Sequence, residues 1–362
     1  MFELRLTKPD GRSLILYSRE AIAGVTAAPA PNGPEGKPRS HLRWHPLRGE
    51  WVAYASHRQN RTFLPPKEYN PLLPSASEEM PTELPVGRYD VAVFENLFPT
   101  LSDDPGEPPS GLPVRTSPGY GVCEVVVFTQ DPTTSLGELP LDHIELLLDV
   151  WGRRTAEIGD RPGIDYVMPF ENKGVEVGVT LHHPHGQIYA YPFVPPLPAR
   201  EHAEERAHFH TTGRTLLATM IEAELADGRR VLYDGPEAVA FVPVCARYSY
   251  EVWIAPRAPT ARLDHLTPAQ RCDLARALKT ILRKYDLLWH RPFPYLMAFH
   301  QGPTGGAEHP WAHLHMEFSP PYRSRDRLKY LAGTELAAGM FASDSLPEEK
   351  AAELRAVPVD FE

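Results

Sequence analysis

An internal duplication is the feature of this chain that most constrains its fold. Residues 121–151 and 247–278 both run from a β-rich segment through a proline turn and a leucine-containing loop into an amphipathic helix. Three identities share one offset of 127 residues: Glu124 with Glu251, Pro132 with Pro259, and Leu139 with Leu266. The chain therefore predicts two similar units in succession rather than one irregular fold.

The similarity continues towards the C-terminal end of each unit. DYVMPFENKG (165–174) resembles PYLMAFHQGP (294–303), and HHPHGQIYAY (182–191) resembles AHLHMEFSPP (312–321), with the offset rising only to 130. Each unit thus reads strand, loop, helix, strand, strand. We expect an α+β protein in which each unit is an antiparallel sheet with a packed helix. In the second helix, Thr267 is expected to cap, with Pro268 at the first helical position and Gln270 completing a capping box.

The proline-rich segment PFVPPLP (192–198) separates the two units, because it suits neither a central strand nor a helix interior. We place the domain boundary there, giving residues 1–197 and 198–362. Residues 200–228 are expected to form one long helix that ends near Gly228. The proline-rich arm up to about residue 115 is interpreted as strands and excursions wrapped on the first unit.

Charge and cysteine content exclude several classes of protein. The net charge of −10 argues against duplex nucleic acid as a partner. The three cysteines form no C-x-x-C pair, which argues against a disulfide framework. No run of ~18 apolar residues suggests a membrane span, and the N-terminus lacks the pattern of a signal peptide, so the cytoplasm is the expected compartment.

The segment His183-Pro184-His185-Gly186-Gln187 carries the chemistry expected of a histidine nucleophile. Such an imidazole needs one ring nitrogen as a free lone pair and the other held by an acceptor. Proline stiffens the backbone so that a neighbouring carbonyl can hold the ring of His185. Glycine lets a phosphate approach the main chain, and Gln187, on the same face of a strand, can donate to a phosphoryl oxygen.

Two other interpretations of this segment compete with the nucleophile. The histidines can be hydrogen-bonded residues of an ordinary strand, or a pair that chelates one metal ion. Neither gives the interleaved proline, glycine and glutamine a purpose, so the nucleophile is favoured.

Together with ENKG (171–174), the HPHGQ segment resembles the active site of galactose-1-phosphate uridylyltransferases, a branch of the histidine triad superfamily. The resemblance runs from about Trp44 to the C-terminus. It implies two fused histidine-triad-like domains and a ping-pong reaction. His185 would take UMP from UDP-glucose and pass it to galactose 1-phosphate. Gln187 would hold the transferring phosphoryl group, and His183 would orient the catalytic loop.

The same resemblance implies a set of substrate-binding residues. Arg58 and Arg61 would hold the diphosphate, Asn172 and Thr180 would contact phosphate, and the VFENLF segment (93–98) would bind uridine. Lys329 and Glu335 would contact the hexose phosphate. The implied set is Arg58, Arg61, Phe94, Asn96, Asn172, Thr180, Lys329 and Glu335. The chain departs from the family pattern at Leu97, Thr334 and Phe341, which leaves the nucleoside and the acceptor sugar open.

A metal site in the second unit is also implied by the resemblance. Its ligands would be Glu201, His300, His313 and His315, holding Fe or Zn, and the alternative is a polar cluster without metal. The zinc site that some members carry in the first domain is not expected, since residues 70–74 lack cysteine and Pro132 stands at a ligand position. The resemblance further implies a homodimer.

Two functional alternatives to uridylyl transfer keep the same fold: an ADP-sugar phosphorylase or adenylyltransferase, and a triad-type nucleotide-binding hydrolase. A pure metal-binding module is a third, and it leaves HPHGQ unexplained.

Overall fold

The computed structural model describes residues 1–31, 33, 39–60, 65, 69–75 and 81–360. The strands of this part are β1 (Phe2–Thr7), β2 (Ser13–Ser18), β3 (His41–His45), β4 (Glu50–Tyr54), β5 (Val91–Glu95), β6 (Thr116–Pro118), β7 (Val122–Val127), β8 (Tyr166–Lys173), β9 (His185–Tyr191), β10 (Val231–Asp234), β11 (Ala238–Phe241), β12 (Val252–Pro256), β13 (Tyr295–His300), β14 (His315–Ser319), β15 (Tyr322–Ser324) and β16 (Arg327–Leu328). Its α-helices are α1 (Leu141–Gly159), α2 (Pro196–Thr212), α3 (Leu216–Asp227), α4 (Pro268–Leu288) and α5 (Pro347–Arg355).

One antiparallel sheet of eleven strands forms the body of the described structure, in the order β1-β2-β5-β7-β9-β8-β13-β14-β12-β11-β10. The order is nearly symmetrical about its centre. In the first half β7, β9 and β8 follow one another, and in the second half β13, β14 and β12 mirror them. The expected duplication is therefore present, and the α+β fold class is confirmed.

The two halves meet edge to edge, because β8 pairs with β13 and places Met297 opposite Glu171. A continuous sheet closes the edges that two separate units would have left exposed. Sheet topology alone does not mark where one unit ends, and the boundary between residues 197 and 198 stays a prediction.

Helices α1 and α4 pack against each other on one face of the sheet. Trp151 of α1 is fully buried, and its indole lies 5.6 Å from the ring of Phe128 and 5.1 Å from that of Phe299, measured between centroids. Phe128 belongs to the first half and Phe299 to the second, so one apolar core unites both halves on this face. The opposite face is left for the polar residues of β9.

The capping box predicted for α4 is confirmed. The Thr267 hydroxyl accepts from the backbone N–H of Gln270, and the Gln270 side chain accepts from the backbone N–H of Thr267. Pro268 occupies the first turn, where it costs no hydrogen bond. Local sequence was sufficient here because the motif is contained in four consecutive residues.

The single helix expected over residues 200–228 was wrong. The chain forms α2 and α3, which are separated at Gly213 in a left-handed conformation (φ 71°). Thr215 then caps α3, since its side chain accepts from the N–H of Ala218. Helix α3 does end at Gly228, as expected.

Among the described residues, none of the helices has the length and apolar character that crossing a membrane requires. The cytoplasmic location stays a prediction.

Candidate active site

The polar side chains of β9 alternate strictly with buried ones. His185, Gln187 and Tyr189 are half-buried, whereas Gly186, Ile188 and Ala190 are buried towards the helices. The period of two places His185 and Gln187 on the same open face, as the sequence predicts.

The structure gives a packing reason for the glycine at position 186. A Cβ at this position would lie 2.9 Å from the ring of Phe128 and 2.9 Å from the carbonyl oxygen of Phe170. The Phe128 ring belongs to the apolar core, and the Phe170 carbonyl belongs to the neighbouring strand β8. Glycine is therefore required at this position for close packing against Phe128 and β8, and its role in admitting a phosphate stays a prediction.

His185 is held by one ring nitrogen and free at the other. Its Nδ1 lies 2.6 Å from the carbonyl oxygen of His183. Because a carbonyl only accepts, Nδ1 must carry the proton, which leaves the lone pair on Nε2. Burial lowers the pKa of His185 and outweighs the opposite effect of this hydrogen bond. The ring is thus neutral, with Nε2 available as a nucleophile.

His183 lies in the turn before β9 rather than on the strand. Its Nε2 donates to the carbonyl of Thr129 at 2.7 Å, and its Nδ1 accepts from the amide of Asn70 at 3.0 Å. Burial lowers the pKa of His183. Both nitrogens of this neutral ring are therefore engaged, and the ring fixes the carbonyl that in turn holds His185.

A cavity of about 300 Å³ opens beside His185 and Gln187. It brings together most of the residues that the sequence implicated in substrate binding. Those that line it are Arg58, Phe94, Asn96, Asn172, Thr180, His185 and Gln187. These residues come from segments far apart in the chain, and only the sheet places them around one space.

Among the described residues that line this cavity, Arg58 is the one with a permanently charged cationic side chain. Its guanidinium donates to the carbonyl of Phe98 and approaches the hydroxyl of Tyr189 at 3.5 Å. These contacts fix the guanidinium beside the strand that carries His185. The second predicted arginine, Arg61, lies outside the described residues.

Asn172 has an unusual environment. Its Oδ1 is buried and finds no hydrogen-bond partner among the described residues. An unpaired buried amide oxygen is costly, and a ligand group or water in the cavity would relieve the cost.

Lys329 and Glu335 lie apart from this cavity. They form an ion pair at 3.4 Å, and both line another cavity of about 530 Å³ formed by residues of the C-terminal segment. The structure therefore does not bring the two predicted hexose-phosphate residues to His185 within one chain.

A second polar cluster lies at the equivalent place in the other half. His300, His315 and Glu317 present ligand atoms within 4.8 Å of one another, and all three residues are buried. The Glu201 carboxylate reaches Nδ1 of His300 at 2.7 Å. Two imidazoles with two carboxylates form a donor set that fits zinc or iron.

The charges in this cluster are strongly coupled. Burial opposes ionisation of His300, yet Glu317 and Glu201 outweigh it and raise the pKa of His300 to about 9. Burial would likewise raise the pKa of Glu317, but His300, His315 and Arg247 lower it to about 2. The carboxylates of Glu317 and Glu201 therefore face the His300 imidazole closely enough to stabilise a positive charge on it.

His313 is not brought into this group. Its Nε2 donates to the carbonyl of Pro256 at 2.8 Å, and its Nδ1 accepts from the Thr215 hydroxyl at 3.2 Å. This arrangement copies that of His183, whose Nε2 donates to the carbonyl of Thr129. As in the first half, the histidine carbonyl then faces Nδ1 of the next imidazole, His315, at 3.2 Å.

Glu317 was not among the metal ligands inferred from the sequence. The signal was available, because the offset of 130 that pairs His185 with His315 also pairs Gln187 with Glu317. The two halves therefore present the same backbone arrangement with a neutral amide in one and a carboxylate in the other.

Two family models together cover nearly the whole chain. The model "Galactose-1-phosphate uridyl transferase, N-terminal domain" matches residues 35–195, and "Galactose-1-phosphate uridyl transferase, C-terminal domain" matches residues 201–361. The chain belongs to the galactose-1-phosphate uridylyltransferase family. The family predicted from HPHGQ is thereby confirmed.

Curated members of the galactose-1-phosphate uridylyltransferase family are similar along most of their length. The enzyme of Thermotoga maritima is 36% identical over 325 residues, which is 88% of this chain and 99% of that protein. The enzyme of Rattus norvegicus is 33% identical over 88% of each chain.

Solved structures of other proteins share this fold. A chain described as "Structure of uridylyltransferase" matches with a TM-score of 0.79 at 32% identity, covering 88% of this chain and 98% of that one. An ADP-glucose phosphorylase from Arabidopsis thaliana with bound ADP-glucose matches with a TM-score of 0.64 at 23% identity, covering 88% and 100%. At that identity the second likeness shows the fold alone.

Proposed function

We propose that this chain transfers UMP from UDP-glucose to galactose 1-phosphate through a covalent uridylyl group on His185. The observation that carries the proposal is the unprotonated Nε2 of a neutral imidazole, fixed through Nδ1 and placed at the cavity that Arg58 and Gln187 also line. Family membership supplies the reaction class, and the geometry supports His185 as the residue that performs it.

The reaction balances in two displacements at phosphorus. The Nε2 lone pair attacks the α-phosphorus of UDP-glucose, a P–N bond forms, and the P–O bond to glucose 1-phosphate breaks. A phosphate oxygen of galactose 1-phosphate then attacks the same phosphorus, and the electron pair of the P–N bond returns to Nε2. No proton has to be moved, since both leaving and attacking phosphates are anions.

The roles proposed for the other residues of the cavity follow from the hydrogen-bond donors and acceptors that their side chains offer. Arg58 can neutralise the diphosphate, while Gln187, Asn172 and Thr180 offer neutral hydrogen bonds to phosphoryl oxygens. Phe94 and Asn96 are assigned to the nucleoside. His183 acts indirectly, by holding its carbonyl against Nδ1 of the nucleophile.

Lys329 and Glu335 are assigned to the hexose phosphate of a neighbouring chain. This assignment requires a homodimer, in which the C-terminal segment of one chain reaches the cavity of the other. It is supported by the separation of the two cavities within one chain.

Incubation with labelled UDP-glucose in the absence of acceptor tests the proposed function. We expect one equivalent of protein-bound uridylyl label, released by acid, with an equal amount of free glucose 1-phosphate. Free UMP without an adduct would instead support hydrolysis. A parallel incubation with ADP-glucose decides the nucleoside, which the aliphatic Leu97 in the cavity wall leaves open.

The pH dependence follows from the neutral state of the nucleophile. Burial lowers the pKa of His185, so the ring stays unprotonated to a lower pH than a free imidazole, for which the pKa is about 6.5. We expect kcat/KM for UDP-glucose to fall only below that value as the pH decreases. An acid limb centred above it would show that the ring is charged at rest and contradict the assignment.

Replacement of Gln187 by histidine is expected to divert the intermediate to water. An imidazole can accept a proton from water, which the amide cannot, so the ratio of UMP released to uridylyl transferred should rise by about tenfold or more. The ratio is measured by chromatography of the nucleotides, with Gln187→Asn as the control that keeps an amide. An unchanged ratio would show that Gln187 does not protect the intermediate.

We propose that the second-half cluster binds one zinc or iron ion with a structural role. The four ligands inferred from the resemblance were Glu201, His300, His313 and His315, and the contacts of His313 favour Glu317 in its place. Bound metal would fix α2 to the sheet through Glu201.

Elemental analysis of purified protein tests this site. We expect about one equivalent of metal per chain, its loss in Glu317→Gln, and a lower Tm after chelation. His265→Gln, at an exposed position, serves as the control. If Glu317→Gln retained a full equivalent of metal and His313→Gln lost it, the ligands would be the four implied by the resemblance, with His313 rather than Glu317.

A further inference from the structure

The first eighteen residues form a hairpin that lies before the range matched by the family models, which begins at residue 35. Strands β1 and β2 pair in antiparallel register, and β2 continues into the main sheet by pairing with β5. The following segment reaches the active-site cavity itself, because Pro31 is among the residues that line it.

The turn of this hairpin inserts two cations into the protein. The Lys8 side chain is fully buried, and its ammonium contacts both the carboxylate of Glu83 and, at 2.7 Å, its backbone oxygen. Arg12 binds the same carboxylate in a forked manner, at 3.1 Å and 3.0 Å. Two cations of one turn thus converge on one buried acid.

Glu83 is also part of the catalytic cavity. Among the described residues that line this cavity, it is the one carboxylate. Phe94, another lining residue, lies under Lys8, whose ammonium is 4.7 Å from the ring centroid. The hairpin therefore positions two neighbouring parts of the cavity wall.

The carboxylate has acceptor capacity left over. A carboxylate offers about four lone-pair positions, and Lys8 and Arg12 use three of them. The remaining one is on Oε1. A negative group repels a diphosphate, so this acceptor suits the nucleoside end of the cavity, where Phe94 and Leu97 provide apolar surface.

We infer that Glu83 accepts a hydrogen bond from an O–H or N–H of the bound nucleoside, and that Lys8 and Arg12 of the N-terminal hairpin are the positioning residues that hold it there. The inference rests on the proposed function for the identity of the ligand. It makes the hairpin a specificity element of the active site rather than an appendage of the sheet.

Calorimetric titration with UDP tests the inference without requiring turnover. We expect Glu83→Gln and Lys8→Met each to raise the Kd of UDP by about tenfold, the effect of losing one hydrogen bond to a charged group. Lys8→Arg should largely restore the affinity. Arg19→Met is the control, since Arg19 anchors the same hairpin through Asp90 and Asp142 away from the cavity.

Two analogues identify the donor. If it is a ribose hydroxyl, wild-type protein discriminates against 2′-deoxy-UDP and the variants do not. If it is the base N–H, the same pattern appears with 3-methyl-UDP. The inference is overturned if Glu83→Gln and Lys8→Met both bind UDP with unchanged affinity. It is also overturned if Arg19→Met loses as much affinity as they do. Failure of wild-type protein to form the uridylyl adduct would instead overturn the proposed function.

Discussion

His185→Gln is expected to reduce uridylyl transfer by about 10⁴-fold or more, because the variant has no nitrogen lone pair with which to attack phosphorus. Glutamine is neutral and of similar length, so it can occupy the half-buried position on β9 without introducing a charge. UDP binding should change little, since Arg58 and Asn172 still line the cavity. Stopped assays of kcat and calorimetric Kd values for UDP separate the two effects.

His182→Gln is the matched control, because His182 lies in the same loop and is exposed. We expect it to retain both transfer and the covalent adduct. If His185→Gln still acquired label from UDP-glucose, the nucleophile would have to be sought elsewhere. Loss of label in both variants, with normal UDP affinity, would point to the loop conformation rather than to one imidazole.

Arg154→Met should lower the free energy of unfolding by about 3–5 kcal/mol, the usual result of removing one partner of a buried ion pair. Two guanidinium nitrogens of Arg154 donate to the Glu124 carboxylate at 2.9 Å and 2.6 Å, and the side chains are 2% and 1% exposed. Methionine fills the space but leaves Glu124 charged and unpaired beneath the sheet. Urea unfolding followed by circular dichroism measures the loss.

The neighbouring residue provides the control. Arg153 pairs with Asp149 at 3.5 Å with half of its side chain exposed, so Arg153→Met should cost less than about 1 kcal/mol. Replacing both Glu124 and Arg154 by methionine should recover much of the stability, since no unpaired charge remains. Equal costs for Arg153→Met and Arg154→Met would contradict this account of the buried pair.

The parts of this protein that could be predicted from sequence are those encoded within short segments or repeated in the chain. The duplication predicted two units with the same succession of strand, helix, strand and strand, and the structure has β7, α1, β8 and β9 in one and β12, α4, β13 and β14 in the other. The capping box at Thr267 required only four residues, and the period of two placed Gln187 beside His185. The long helix was wrong because a single glycine, Gly213, ends α2 within a segment whose composition otherwise favours helix.

The features of the candidate site that could be predicted are those that depend on contacts between residues close in sequence. HPHGQ predicted His185 as the nucleophile and a neighbouring carbonyl as the group that holds its ring, and that carbonyl belongs to His183, two residues away. The packing reason for Gly186 could not be predicted, because Phe128 and Phe170, which approach it, lie in other parts of the chain. The ligand set implied by the resemblance includes His313, whereas contacts to Pro256 and Thr215 engage both nitrogens of its ring.

The sequence by itself determined the repeated unit and the family, and it predicted His185 as the imidazole to which the reaction is assigned. Only the tertiary structure decided which nitrogen of that imidazole is free, that Glu317 joins His300 and His315, and that Lys8 and Arg12 reach the wall of the cavity. The physical reason is that a hydrogen bond or an ion pair depends on distance in space. The residues of one such contact, such as Lys8 and Glu83, are separated in the chain by segments that the sheet brings together.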